Sequence, residues 1–179
     1  LFPWIKNFRF PILELIVFVF SKIGKFMSAS SPIRVLVAGA GHMGISHARA
    51  YKKLDGFEIC GVVTRSLASS QAMVDELGSF PRFTDFEEAL KETSPDAVSI
   101  SSYTETHHPF AISALDAGCH VFVEKPLAES IVKAREIARK AKEVDRKVLV
   151  GYILRHHPSW IRFIEIARGL GKPLAMRMN

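Results

Sequence analysis

Residues 33–44 constrain the fold more than any other stretch of this chain. Ile33–Ala38 is a short apolar run, Gly39-Ala40-Gly41-His42-Met43-Gly44 follows without a gap, and Ile45, Ala48, Tyr51 and Leu54 then recur at every third position. The run has the look of a buried parallel strand, and the spacing predicts a helix over residues 43–54 with one face against a core. Each glycine at the junction answers a mechanical need. Gly39 permits a tight turn out of the strand, Gly41 lets the backbone approach a ligand, and Gly44 lets the helix pack close to the sheet. The helix start offers unpaired N–H groups and partial positive charge to an anion. G-x-G-x-x-G in this strand–turn–helix setting marks a dinucleotide pyrophosphate site, with Gly39, Gly41, His42, Met43 and Gly44 as its candidates. No Gly-Lys-Ser/Thr follows, which excludes a P-loop.

The alternation continues down the chain. Phe57–Val63, Phe80–Phe83, Ala97–Ser102, His120–Glu124 and Val148–Tyr152 read as further strands. Between them, residues 69–77 read as a short helix ended by Gly78, and 107–117 as a helix ended by Gly118. Thr84-Asp85-Phe86-Glu87 fits a capping box with Thr84 as the cap. Ser130 is placed to cap a long helix with the stripe Ile131, Ala134, Ile137, Ala138, Ala141 and Val144. Six strands alternating with helices predict an α/β fold, a doubly wound parallel-sheet Rossmann domain, with ligands at the strand carboxyl ends. Beyond it, Pro158–Leu170 reads as a helix and Pro173–Met178 as a strand with nothing left to pair. The expected organisation is a Rossmann domain over 30–152 and, over 153–179, only the beginning of a second α+β domain for substrate binding and dimerisation.

The end of the second strand bears on the choice of dinucleotide. An NAD site usually places Asp or Glu there, roughly 20 residues past the glycines, to hold the ribose hydroxyls. Here the place reads Val62-Val63-Thr64-Arg65-Ser66, with no acid. Arg65 can pair with a 2′-phosphate, helped by the Thr64 and Ser66 hydroxyls. NADP is favoured on this ground and NAD remains the alternative, with Arg65 then a solvated loop residue.

The formal charge of +6 is divided between two parts of the chain. Residues 1–26 carry Lys6, Arg9, Lys22 and Lys25 against Glu14, a net +3, which leaves +3 for the rest. No basic run or aromatic-interleaved basic face points to nucleic acid. The run Pro11–Phe20 is too short for a bilayer span, which needs roughly 20 residues. Residues 1–29 are expected to be a leader, non-native or disordered, with a targeting segment or an interaction arm as alternatives. Cys60 and Cys119 lie in or beside apolar runs and outside any CxxC. They read as core thiols of a reducing, cytoplasmic compartment. His107-His108 and His156-His157 lack the clustered acids or cysteines that would complete a metal site, and no metal is expected.

Three further stretches narrow the family. They are Thr106-His107-His108-Pro109-Phe110-Ala111, then Ala114-Leu115-Asp116-Ala117-Gly118-Cys119-His120-Val121 running on to Glu124-Lys125-Pro126-Leu127-Ala128, and Val150-Gly151-Tyr152 with Arg155-His156-His157-Pro158. With the glycine turn, residues 33–179 resemble the glucose–fructose oxidoreductase / inositol dehydrogenase / MocA family. The resemblance implies an NAD(P)-dependent dehydrogenase or reductase acting on a sugar, polyol or related carbonyl compound, a homo-oligomer when complete. It implies that Glu124-Lys125-Pro126 lies beside the nicotinamide, with Lys125 contacting the cofactor ribose and the substrate hydroxyl. An ammonium at the carboxyl edge can stabilise an alkoxide-like oxygen during hydride transfer, and the Lys125–Pro126 peptide is a candidate cis bond. Ser101, Thr104 and His107 are further cofactor candidates, and Tyr152 and Arg155 are candidates for substrate. The sequence departs from the family at Ser102-Tyr103-Thr104, where Thr-Pro-Asn is usual, and at Cys119, where lysine is usual. The family's catalytic Asp and His come from the second domain, so this stretch alone is expected to be inactive. Two other activities known among relatives stay open: dinucleotide-dependent glycoside hydrolysis, and non-catalytic sensing of a dinucleotide.

Overall fold

The structure, a computed structural model, describes residues 31–171. In chain order the elements are β1 (Ile33–Ala38), α1 (His42–Lys53), β2 (Phe57–Val63), a 3-10 turn (Leu67–Ser70), α2 (Gln71–Leu77), β3 (Arg82–Phe83), α3 (Phe86–Thr93) and β4 (Ala97–Ile100). Then come α4 (Thr104–Asp116), β5 (His120–Val123), α5 (Ile131–Glu143), β6 (Val148–Val150), a 3-10 turn (Ile153–His156) and α6 (Pro158–Gly169). The strands form one sheet in the order β3-β2-β1-β4-β5-β6, and every pairing is parallel. This is the doubly wound order, and its switch point lies between β1 and β4.

The period of two along β1 builds both halves of the core. Leu36 and Ala38 face a cluster with Phe86, Leu90, Leu115 and Ile137 from α3, α4 and α5. Val35 and Val37 face the other, with Ala48 and Tyr51 of α1, Met73 of α2 and Phe122 of β5. Helices therefore cover both faces of the sheet, which is why its strands are near-continuous apolar runs. Cys60 and Cys119 are both buried as free thiols. Among the described residues no helix is long and apolar enough to cross a membrane.

Several boundaries differ from the sequence reading. The cap of α3 is Asp85, whose carboxylate accepts from the Glu88 N–H at 2.8 Å, and not Thr84. The sequence offers two caps and two acids in register, and burial of Phe86, Ala89 and Leu90 selects the later one. Helix α4 starts at Thr104, three residues before the expected start at His107, and carries Pro109 inside it. The carbonyl that Pro109 leaves without an intrahelical donor is that of Glu105, an exposed residue of the first turn. Strand β3 holds two residues because Pro81 has no N–H to give the ladder, although its carbonyl still accepts from Val62 at 2.9 Å. The strand expected over Pro173–Met178 and the leader over 1–29 lie outside the described residues. No buried residue comes from α6, and it exposes Ile161, Phe163, Ile164 and Ile166, with Leu170 exposed just past its end.

Candidate functional site at the carboxyl edge

The glycine turn sits at the switch point, where β1 and β4 part. Gly39 has φ of +108°, a region that L side chains rarely adopt, and its N–H bonds the Val63 carbonyl at 2.9 Å. A Cβ there would lie 2.7 Å from the Ser101 carbonyl oxygen, and one on Gly44 would lie 1.9 Å from the Gly39 oxygen. Gly39 and Gly44 thus serve the chain itself. Gly41 differs, because a Cβ there would meet nothing within 4 Å. Nothing in the protein requires glycine at that point, and the space before it is open. Gly41 is also the N-cap of α1, where no side chain caps the helix and no acid lies in the first turn. The N–H groups of the first turn, at His42, Met43 and Gly44, are left for an external acceptor. These features fit a pyrophosphate.

Beside the turn lies a cavity of about 500 Å³. Its wall takes Gly39 and Gly41 from the glycine turn, Thr64 and Arg65 from the end of β2, and Ser101 and Tyr103 from beyond β4. No carboxylate stands among its lining residues, and Arg65 is the one charged side chain there. The Arg65 guanidinium lies 5.0 Å from the centre of the Tyr103 ring, which is 60% exposed. Of the three residues predicted at the β2 end, Thr64 spends its hydroxyl on the Ser66 carbonyl at 2.7 Å. Ser66 is not on the wall. Its hydroxyl pairs at 2.8 Å with that of Ser69, which is. Thr106 and Phe110 also line the wall; the sequence reading quoted them in a stretch that carries the family resemblance but named neither as a site residue.

The other predicted residues lie outside the wall of this cavity. His42 is exposed and Met43 half-buried at the start of α1, and Thr104 is half-buried at the start of α4. His107 is buried. Its Nδ1 lies 2.7 Å from the Pro126 carbonyl oxygen and its Nε2 lies 3.2 Å from that of Ser102. Both partners are carbonyl oxygens, so a neutral imidazole donates to one of them and ties α4 either to the loop after β5 or to the loop after β4. The Lys125–Pro126 peptide is cis, as expected from the sequence, and Lys125 is exposed. Tyr152 and Arg155 follow β6, both exposed, with the guanidinium 5.3 Å from the Tyr152 ring centre.

Glu124 is the buried member of its motif, at 6% exposure. Its Oε1 accepts from His47 Nε2 at 3.1 Å and its Oε2 from the Lys125 backbone N–H at 3.2 Å. Burial pushes this carboxyl up, but the His47 hydrogen bond and charge, with the Lys125 N–H, prevail and hold it below the usual range. His47 Nδ1 lies 2.9 Å from the Ser99 hydroxyl. Burial in the core, only partly offset by the nearby Ser99 hydroxyl, pushes the Tyr51 phenol up to about 12. The sequence reading assigned no role to His47, Ser99 or Gly151. The one signal was a polar residue three places past Gly44 on the buried face of α1. Among the described residues no group of three or more His, Cys, Asp or Glu is placed to hold a metal ion.

Comparison with known proteins agrees with this architecture. Residues 33–152 match the model of the oxidoreductase family with an NAD-binding Rossmann fold. The chain is 35% identical over 127 residues to 4-carboxy-2-hydroxymuconate-6-semialdehyde dehydrogenase of a Sphingobium species, a stretch that is 71% of this chain and 40% of that one. It is 32% identical over 134 residues to D-glucoside 3-dehydrogenase of Escherichia coli, covering 74% of this chain and 37% of the relative. Among solved structures, scyllo-inositol dehydrogenase from Lactobacillus casei with bound NAD(H) and scyllo-inositol superimposes with a TM-score of 0.72 at 26% identity, over 78% of this chain and 42% of that one. The chain therefore spans about two fifths of the length of the proteins that it matches.

Proposed function

The chain belongs to the oxidoreductase family with an NAD-binding Rossmann fold, and from that premise we propose that it is the cofactor-binding part of an NAD(P)-dependent dehydrogenase or reductase. The substrate class is a sugar, polyol or related hydroxyl or carbonyl compound, in keeping with the names of the glucoside and inositol relatives. The nicotinamide, when bound, supplies the hydride acceptor or donor. The observation that carries the reading is the open, uncapped start of α1 at Gly41 beside a cavity whose wall has an arginine and no acid.

Within this reading the N–H groups of His42, Met43 and Gly44 bind the pyrophosphate, and Ser101, Thr104 and His107 shape the β4 side. Arg65 faces the adenosine ribose, where a carboxylate would repel a 2′-phosphate and a guanidinium pairs with it, so NADP is preferred over NAD. Glu124, Lys125 and Pro126 flank the nicotinamide. Lys125 donates to the substrate oxygen and stabilises the charge that develops there, while Tyr152 and Arg155 approach the substrate from beyond β6. Residues 30–152 form the nucleotide domain, and the chain from 153 begins a second domain that buries the apolar side of α6. The complete protein is a cytoplasmic homo-oligomer in which that second domain supplies the remaining catalytic groups.

Titration of full-length protein with NADPH and NADH, followed by nicotinamide fluorescence, tests this. Tighter binding of NADPH is expected, and Arg65→Ala should erase the preference. Equal or NADH-favoured binding by the wild type refutes the NADP assignment. Absence of binding by folded protein refutes the site.

A further inference from the structure

The carboxyl edge holds a buried ionisable pair that dinucleotide binding by itself does not require. His47 is fully buried and Glu124 nearly so, and they come from α1 and from the end of β5. The carboxylate is an acceptor only, so His47 Nε2 carries the proton of this bond. The ring has little freedom. Ser99 meets its other nitrogen, and Phe122 packs edge-on at 4.7 Å between centroids with the planes at 87°. Glu124 has as little, because a Cβ on Gly151 would come within 3.0 Å of its carboxylate. The carboxylate is thus fixed between α1, the Lys125 backbone and the end of β6.

We propose that His47 is a positioning residue for Lys125: its Nε2–H, aimed by Ser99 and Phe122, pins the Glu124 carboxylate under the Lys125 backbone, so that the lysine loop is held in register with the helix that carries the glycine turn. This rests on the reading of Lys125 as the residue that meets substrate. Stability alone is a weak reason for such a pair, since buried ion pairs are commonly replaceable by apolar residues of similar volume. Geometry supplies a better one. His47 stands one helical turn beyond Gly44, so whatever seats on the first turn of α1 and whatever Lys125 touches are tied together through two hydrogen bonds. The groups facing Glu124 are His47 from α1, the Lys125 N–H and charge from its own loop, and the Gly151 backbone from beyond β6.

The test uses full-length protein and four variants: His47→Leu, His47→Gln, His47→Asn and Glu124→Gln. Without the imidazole, burial of Glu124 is opposed only from the Lys125 side, and its carboxyl should take a proton at higher pH than in the wild type. Infrared spectra of His47→Leu should then show a protonated-carboxyl band that titrates, absent from the wild type and lost when Glu124→Gln is added. The Lys125 amide resonance should move with the same titration. Gln places an amide N–H near the Nε2 position and should restore both signals to wild type. Asn reaches only the Nδ1 position and should behave like Leu, so the Asn–Gln contrast decides the matter if His47→Leu fails to fold. In turnover, His47→Leu should lower kcat about 100-fold near neutrality, the scale of a misplacement of about 1 Å, with partial recovery as pH rises. A carboxylate that stays ionised in both His47→Leu and His47→Asn, or a Lys125 amide indifferent to either, overturns the proposal. If instead Lys125→Ala turns over like wild type, the role of Lys125 in the proposed function fails, and the infrared and amide signals still decide the link from His47 to Lys125.

Discussion

Alanine at Gly41 and alanine at Gly44 should separate what the glycine turn does for the ligand from what it does for the chain. At Gly44 the new Cβ would lie 1.9 Å from the Gly39 carbonyl oxygen and 3.0 Å from the Ser101 hydroxyl. The nearest obstacle is backbone, so α1 must retreat by about 1.5 Å to reach ordinary contact at 3.4 Å. Forced repacking against backbone takes the top of the usual range, about 3 kcal/mol, against about 1 kcal/mol gained by alanine over glycine inside a helix. A net loss of about 2 kcal/mol is expected. At Gly41 the Cβ meets nothing within 4 Å, and φ of −75° suits any residue. The poorer N-cap and the stiffer unfolded chain roughly offset each other, so stability should stay within about 1 kcal/mol of wild type. Yet the methyl fills the space before the uncapped first turn. Losing one N–H bond to a phosphate, about 1.5–3 kcal/mol, corresponds to about 10–100-fold in affinity. Urea unfolding followed by circular dichroism, with NADPH titration by fluorescence, measures both quantities on the same samples. Gly41→Ala should unfold like wild type and bind weakly. Wild-type NADPH affinity in that variant would refute the passage of the pyrophosphate over Gly41, and wild-type stability of Gly44→Ala would refute the close packing of α1 on the turn.

Two more perturbations probe the scaffold. Asp85→Ala removes the carboxylate that accepts from the Glu88 N–H at 2.8 Å, and should cost about 1 kcal/mol in urea unfolding; Thr84→Ala should cost less than about 0.5 kcal/mol, and the reverse order would put the cap back on Thr84. His120 accepts the Lys147 N–H on Nδ1 at 3.1 Å, and burial, then the Arg146 and Lys147 charges, push its pKa down. The unfolded chain therefore takes the proton first: the stability from neutral His120 is complete above its ordinary value of about 6.5 and is lost as pH falls through that value toward the lower folded one. Melting temperature against pH should show this loss in wild type and not in His120→Asn, whose side-chain oxygen accepts without titrating; parallel curves would refute it.

The parts of the fold legible in the sequence are those set by local pattern. Parallel strands buried on both faces must be apolar throughout, so β1, β2, β4 and β5 appear as runs, and their alternation with helices fixes the sheet type. The helix boundaries were less legible because several residues compete for the same office. Thr84 and Asp85 can both cap, Glu87 and Glu88 both follow at suitable spacing, and only the burial of Phe86 against α4 and the core decides between them. Pro109 made a start at His107 look natural, since proline suits a first turn. Instead α4 extends back to Thr104, where the Thr106 hydroxyl donates to the Tyr103 carbonyl at 2.7 Å.

The candidate site divides on the same principle. A glycine turn and a Glu-Lys-Pro motif are each contiguous, and each can be read where it stands. The contact between them cannot: His47 and Glu124 are 77 residues apart, and His47 and Ser99 are 52 apart. Nothing local predicts that a histidine one turn into α1 will meet a carboxylate at the end of β5. That meeting requires the crossover which lays β4 beside β1 and β5 beside β4, and it requires a bare Gly151 at the end of β6 to leave room for the carboxylate. The same crossover opens the switch point in which the cavity lies. The sheet order that creates a place for the dinucleotide therefore also delivers the pair that ties its helix to the lysine loop. A substitution at Ser99 or Gly151 should for this reason disturb the geometry of Lys125 sooner than the seating of the phosphates.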